Sequence, residues 1–290
     1  MKDTLFSSQL SFNTKGILRE FSNPIVMGII NATPDSFYGK SRVNNLEMAL
    51  KKAEEMINEG ASILDIGGYS SRPGATEVSE EEEIDRTILL IQAIKKAQPE
   101  TLISIDTFRS KVALEAVKNG ADLINDISGG QMDSNIFNVA AEHCCPYILM
   151  HMRGTPANMM EHTSYDNLML NLIHYFSVQI RKAEQAGVKD IIIDPGFGFS
   201  KTLDQNFALL SQLDLFWALN KPLLAGLSRK SMIYKTLDTS SEESLNGTTA
   251  LNMIALKNGA MILRVHDVKA AHQAIALHLK LNAVHKNSKA

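Results

Sequence analysis

The stretch Ile191–Lys201, IIIDPGFGFSK, decides how the chain is read. Three consecutive β-branched residues form a strand too short to be a helix, and Pro195 stops it. Asp194 puts a carboxylate where the strand ends. Gly196 and Gly198 let the backbone turn sharply and approach a neighbour closely. Phe199 and Lys201 add an aromatic face and a cation on the same loop. A parallel strand that delivers an acid, a glycine loop and a cation at its C-terminal end is how an α/β enzyme builds a binding site. Asp-Pro-Gly is also a common turn, so the weight rests on whether the pattern recurs.

It recurs from Pro24 onward as a short apolar strand, a polar loop and an amphipathic helix. The predicted strands are Ile25–Asn31, Ser62–Gly67, Leu102–Asp106, Asp122–Asp126, Tyr147–His151, Ile191–Asp194, Pro222–Gly226 and Ala260–Arg264. Helical periodicity covers Leu46–Glu59, Glu80–Ala97, Arg109–Asn119, Tyr165–Ala186 and Ser241–Asn258. Gly60, Gly120, Gly187 and Gly259 stand where helices should stop. Eight such units over about 260 residues predict one (β/α)8 TIM barrel, for which about 250 residues is typical. A doubly wound open sheet is the alternative, disfavoured because no GxGxxG follows the first strand. Residues 9–21 alternate around Asn13-Thr14-Lys15-Gly16 and predict a hairpin. The expected organisation is an N-terminal hairpin extension over 1–23, one catalytic domain over 24–284 and a frayed end over 285–290.

The chain has 290 residues, 44% hydrophobic and 21% charged, with a formal net charge of −3. That balance gives no electrostatic case for nucleic acid or an anionic membrane, so an anionic substrate has to be held by local cations. The N-terminus lacks an apolar signal core and no apolar run reaches membrane-spanning length, so a cytoplasmic protein is expected. The only cysteines, Cys144 and Cys145, are adjacent. They offer neither a disulfide framework nor a zinc spacing, and their surroundings predict buried packing.

In a barrel the active site lies at the C-terminal strand ends. Those ends carry Asn31; Gly67-Gly68 leading to Ser71-Arg72-Pro73; Asp106; Asn125 and Asp126; His151 and Arg153; Asp194; Ser228, Arg229 and Lys230; and Arg264 and His266. Side chains two apart share a face of a strand. Parity therefore groups Ser104 with Asp106, Asn125 with Ile127, Ile192 with Asp194, and Arg264 with His266. Two carboxylates and an amide would converge at the mouth beside a cationic pair. Buried carboxylates need donors, and a planar heterocycle with adjacent N–H groups, such as an aminopyrimidinone, would satisfy Asp106, Asn125 and Asp194 together. Each Asp alone could instead cap a loop or pair internally with Arg264.

The segments GIINATPDSF (28–37), DIGGYSSRPGA (65–75), SIDTFRS (104–110), INDISGG (124–130), HMRGTP (151–156), DPGFGFSK (194–201), GLSRKS (226–231) and RVHDV (264–268) resemble dihydropteroate synthases, in that order. The resemblance implies condensation of 6-hydroxymethyl-7,8-dihydropterin diphosphate with p-aminobenzoate, giving dihydropteroate and diphosphate in folate biosynthesis. It implies a pterin site of Asp106, Asn125, Asp194 and Lys230, lined by Ile127, Met150 and Gly226, with Arg264 against the ring. p-Aminobenzoate would meet Ser71, Arg72, Pro73, Phe199, Lys230 and Ser231. Asn31, Ser71, Arg72, Arg264 and His266 would hold the diphosphate, with Asn31 the protein ligand to Mg²⁺. Loss of diphosphate would precede attack by the arylamine, so Asn31, Asp106, Lys230, Arg264 and His266 are the expected catalytic set. A homodimer and competitive inhibition by sulfonamides are implied too. Thr33, Pro34 and Asp35 on the first loop, with the second loop ending at Gly74, would close as a lid. Ser71 stands where the family usually has Thr, and Tyr38-Gly39-Lys40 replaces a more glycine-rich turn; both bear on loop closure.

Rival readings are a pterin-binding methyltransferase domain of the corrinoid type, an inactive pterin-binding paralogue, and a phosphate-binding barrel enzyme. The SRPG and GLSRKS segments argue against the first. Retention of Asn31, Lys230, Arg264 and His266 argues against the second. The third lacks its glycine-rich phosphate turn after the seventh strand.

Overall fold

A computed structural model describes residues 10–32, 42–69 and 78–287. Alternation along the parallel strands sorts their side chains into two buried sets. Ile25, Met27, Ile63, Leu102, Leu123, Ile148, Ile192, Leu224 and Ile262 meet one another in one cluster. Their neighbours in between, among them Val26, Leu64, Ile103, Ile124, Leu149, Ile193 and Leu263, pack with helix residues in the other. A sheet apolar on both faces, with one face meeting itself, is a barrel wrapped in helices.

The described residues begin with β1 (Leu10–Thr14) and β2 (Ile17–Phe21), an antiparallel pair. Lys15 and Gly16 turn between them with φ of 51° and 88°, as a tight hairpin requires. The barrel strands are β3 (Ile25–Asn31), β4 (Ala61–Gly67), β5 (Leu102–Asp106), β6 (Leu123–Asp126), β7 (Tyr147–Met150), β8 (Ile191–Asp194), β9 (Leu224–Ala225) and β10 (Ile262–Val265). Each pairs in parallel with its sequence neighbour from β3 to β8, and β10 lies between β3 and β9. A bridge from Ile193 to Leu223 joins β8 to the β9 side and closes the ring. A doubly wound sheet would reverse its strand order at a switch point; this order runs around a circle.

Helices α1 (Arg42–Asn58), α2 (Glu80–Ala97), α3 (Ser110–Lys118), α4 (Ile136–Glu142), α5 (Leu168–Gln185), α6 (Leu203–Ser211), α7 (Ser231–Tyr234), α8 (Leu245–Lys257) and α9 (Val268–Asn287) lie between and after the strands. Local chemistry sets their ends. Ser79 accepts from Glu82 N at 3.2 Å to start α2, whose first turn is acidic and whose last carries Lys95 and Lys96, the polarity its dipole favours. Thr202 and Gln205 form a capping box on α6. Four helices, α4, α6, α7 and α9, go beyond the periodic segments read from sequence. Helix α9 continues to Asn287, three residues into the segment 285–290 expected to fray. The seventh predicted strand, Pro222–Gly226, shrinks to the two residues of β9, because proline cannot donate to a ladder.

The hairpin has a task. Leu10 and Phe12, 0% and 1% exposed, join the barrel-interior cluster, so β1 plugs the barrel floor. Lys15 pairs with Asp122 at 3.6 Å and Asn13 N donates to Asp190 at 3.0 Å, fastening the plug to the strand starts. Phe12→Leu should cost roughly 1–2 kcal/mol through the cavity it leaves. A chemical-denaturation midpoint that does not move would show that the floor repacks freely.

Candidate active site

Along the inward face of five of the strands, β4, β5, β6, β8 and β10, the residues change from apolar to polar toward the C-terminal end. Ile63 gives way to Asp65, Leu102 to Ser104 and Asp106, Leu123 to Asn125, Ile192 to Asp194, and Ile262 to Arg264. The polar layer forms one pocket lined by Asp106, Asn125, Ile127, Met150, Asp194, Phe199, Gly226, Lys230 and Arg264. Thus the residues on which the pterin reading rests are brought together by the structure.

Arg264 organises the pocket. Its Nε donates to Asp65 Oδ2 at 2.5 Å and its Nη2 to Asp106 Oδ2 at 2.5 Å. Asn125 Nδ2 donates to the same Asp65 oxygen at 3.0 Å. The internal ion pair considered for Asp106 therefore forms, and Asp106 lines the pocket as well. Asp65 is fully buried and is not among the strand-end candidates, because its strand ends at Gly67-Gly68. Parity could have found it: Asp65 shares the inward face with Ile63 and Gly67.

Burial pushes the Asp106 carboxyl up to about 7, against the pull of Arg264. Burial also raises Asp194, opposed by the Gly196 N–H, which donates to its Oδ1 at 2.8 Å, and by Arg264 and Lys230. Burial alone would lower the Arg264 pKa, but Asp65 and Asp106 more than offset it, and the guanidinium stays charged. Three acids thus face Arg264 and Lys230 in a nearly closed space. Such an array favours a ligand that presents several N–H donors.

The pocket opens into a wider cleft bounded by Asn31, Tyr69, Phe199, Ser228, Arg229, Lys230, Ser231, Arg264 and His266. Asn31 ends β3 with its side chain exposed. Ser228 Oγ lies 3.0 Å from His266 Nδ1 and accepts from His266 N at 3.2 Å. Arg229, at φ 56°, pairs with Asp267 through Nε at 3.0 Å and Nη2 at 2.7 Å. Lys230 Nζ sits 4.3 Å from the centre of the Phe199 ring, a cation–π distance. Lys230 is also the residue before α7, and Ser231 is the first of its four residues.

Several strand-end groups do not reach the mouth. His151 is buried with Nδ1 3.1 Å from Lys201 Nζ. Lys201, expected as a cation displayed on the loop, is 2% exposed. Asp126 faces away from the pocket and accepts from Tyr147 Oη, Ser128 N and Gly130 N. Arg153 stacks 3.9 Å above the Tyr165 ring and donates to Ser164 O. The expectation for the cysteines is half corrected: Cys145 is buried, with its thiol pushed up to about 12 by burial, and Cys144 is exposed. Ser71, Arg72, Pro73 and Gly74, with Thr33, Pro34, Asp35 and Tyr38-Gly39-Lys40, lie outside the described residues.

A family model described as pterin binding enzyme matches residues 27–266, spanning the barrel and every described residue of this pocket. Fold and site together define a pterin-binding (β/α)8 barrel enzyme. The chain is 45% identical over 263 residues to the dihydropteroate synthase of Escherichia coli (strain K12), covering 90% of this chain and 93% of that protein. The Yersinia pestis dihydropteroate synthase solved with a sulfonamide drug superposes with a TM-score of 0.88 at 39% identity, over 94% of this chain and 100% of that one. A Xanthomonas albilineans dihydropteroate synthase with 4-aminobenzoic acid does so with a TM-score of 0.87 at 36% identity, over 95% of this chain and 99% of that one. The chain belongs to the dihydropteroate synthase family, transferases of folate biosynthesis.

Proposed function

We propose that this enzyme condenses 6-hydroxymethyl-7,8-dihydropterin diphosphate with p-aminobenzoate, releasing diphosphate. One observation carries the reading: the site is electrically two-ended. Acceptors Asp106, Asn125 and Asp194 line a narrow pocket with Arg264 and Lys230 at its side, and Arg229 and His266 add cationic and imidazole groups in the cleft into which it opens. A pterin diphosphate has the same polarity, N–H-rich at the ring and anionic at the tail.

Binding the ring between Asp106 and Asp194 places negative charge beside a group that becomes cationic when its exocyclic C–O bond breaks. The electron pair leaves with the diphosphate, toward Lys230, Arg264 and His266. Preorganised charges at both ends lower that barrier without reorganisation. The arylamine nitrogen then bonds to the exposed carbon and gives up a proton. Phe199 supplies the aromatic wall for it beside Lys230, and the 4-aminobenzoic acid held by the Xanthomonas relative supports that compound as the second substrate. The sulfonamide drug held by the Yersinia relative supports sulfonamides as inhibitors of this enzyme.

Mg²⁺ fits these residues as an ion carried by the diphosphate. Asn31 offers one neutral oxygen at the cleft, and this cation keeps several waters and prefers substrate phosphates to an all-protein cage. When bound it would add positive charge at the leaving oxygens. The working assembly is a homodimer, which sedimentation velocity would check.

The reading is tested by pteroate formation from the two substrates with and without Mg²⁺; no product under either condition ends it. Asn31→Ala should raise the Mg²⁺ concentration needed for half-maximal rate about tenfold, the loss of one charge-assisted contact. Its pterin affinity, measured by calorimetry, should be unchanged. An unaltered Mg²⁺ dependence would remove Asn31 from metal handling.

A further inference from the structure

Lys201 is the most deeply buried lysine described, and nothing in the proposed chemistry uses it. Its Nζ lies 3.0 Å from Gly196 O, 2.9 Å from Phe199 O and 3.1 Å from His151 Nδ1. Both carbonyls are acceptors. Burial first, then Lys201 and Arg153, hold the His151 pKa well below its ordinary value, so the imidazole is neutral and its Nδ1 can accept. An ammonium has three N–H donors and no acceptor. Three acceptors around one Nζ match that inventory; a neutral amine would leave one of them without a donor.

These contacts converge on one turn. Gly196 O also accepts from Phe199 N at 3.1 Å, so Lys201 grips both ends of the Gly196–Phe199 segment from behind. Gly196 N holds Asp194 at one end, and the Phe199 ring faces Lys230 at the other. The turn is tightly housed: a Cβ on Gly196 would lie 2.1 Å from His151 O, and one on Gly198 would lie 3.1 Å from Lys230 Cδ.

We propose that Lys201 is a positioning residue, its ammonium locking the Gly196–Phe199 turn so that Phe199 is held as the wall for the arylamine substrate. This rests on reading that wall as the p-aminobenzoate site. Lys201 itself touches neither substrate, so it acts through Phe199. The lock also depends on proton occupancy. Burial lowers the Lys201 pKa to about 7, with Asp194 opposing the shift and Lys230 and Arg153 adding to it. The nearby Tyr165 and Tyr175 phenols are raised by burial and stay neutral. As pH rises through about 7 the ammonium loses its third donor and the turn loosens.

The test is steady-state kinetics of pteroate formation from pH 6 to 8.5, with each substrate varied in turn. Lys201→Met should raise KM for p-aminobenzoate about tenfold at pH 6, as expected for a displaced binding wall, and leave KM for pterin diphosphate within twofold. In the unmodified enzyme KM for p-aminobenzoate should climb above pH 7, and in Lys201→Met it should be flat. Phe199→Ala should raise the same KM, and adding Lys201→Met to it should raise it no further. Equal rises in both KM values, or additive effects of the two substitutions, would overturn the proposal. A flat pH profile in the unmodified enzyme would do so even where Lys201→Met does not fold. Each of these outcomes is read on an active enzyme, whereas absence of pteroate from the unmodified enzyme would sink the functional reading instead.

Discussion

Arg264→Met should lower the stability of the enzyme by about 3–5 kcal/mol, the usual cost of removing one partner from a buried ion pair. Two carboxylates depend on the guanidinium, Asp65 with no exposed surface and Asp106 with a fifth of its side chain open. The Asp65 Oδ1 atom already has no hydrogen-bond partner, so that acid has little reserve. The deficit should depend on pH. Without Arg264 the Asp106 carboxyl, already raised by burial, takes up its proton in the folded state at pH values where the unfolded chain has released it. The folded state then binds more protons than the unfolded state above about pH 4, so stability falls as pH rises. Denaturant titrations of both proteins at pH 5 and pH 8 should show the larger difference at pH 8. Adding Asp65→Asn to Arg264→Met should recover part of the stability and none of the activity, because the amide oxygen can still accept from Asn125. A deficit below about 1 kcal/mol, or one independent of pH, would mean that the triad is solvated and does not brace the pocket.

Asp194→Asn should lower kcat/KM for the pterin substrate by about 10⁴–10⁵-fold, the scale at which a site built for a hydrogen-bond donor rejects a mismatch. Gly196 N donates to Asp194 Oδ1, and a Cβ on Gly226 would lie 3.8 Å from Asp194 Oδ2. An asparagine keeps its oxygen against Gly196 N and turns its NH₂ toward the pocket, where a ring N–H also points. Two donors then face each other. Stability should hold or rise slightly, because burial disfavours the charged form that is removed. The loss is therefore separable from misfolding by thermal melting of the same sample. Activity within tenfold of the unmodified enzyme would move the heterocycle away from Asp194.

Both substitutions probe a site whose members were largely legible in sequence. Asp106, Asn125, Asp194 and Arg264 end short apolar strands, and the period of two puts each on the face opposite the residues that contact helices. Asp65 escaped because its strand continues two residues beyond it, which places it one layer below the rim. Asp126 and His151 also stand at strand ends, yet both are buried away from the pocket. A polar residue at a strand end signals depth along the barrel, and whether it points in or out depends on the phase of the strand and on buried partners distant in the chain.

The sequence by itself determined the barrel, the hairpin and the identity of Asp106 and Asp194, since all three follow from local rules. Strand and helix periods, glycine stops and the Lys15-Gly16 turn act over a few residues at a time. Tertiary structure alone decided which charges meet. Arg264 reaches Asp65 across 199 positions of chain and Asp106 across 158, and Lys201 meets His151 across 50. No local period encodes such pairings. They arise because closing the ring strips water from the strand ends and leaves each buried charge to find its partner among the groups that closure brings within reach.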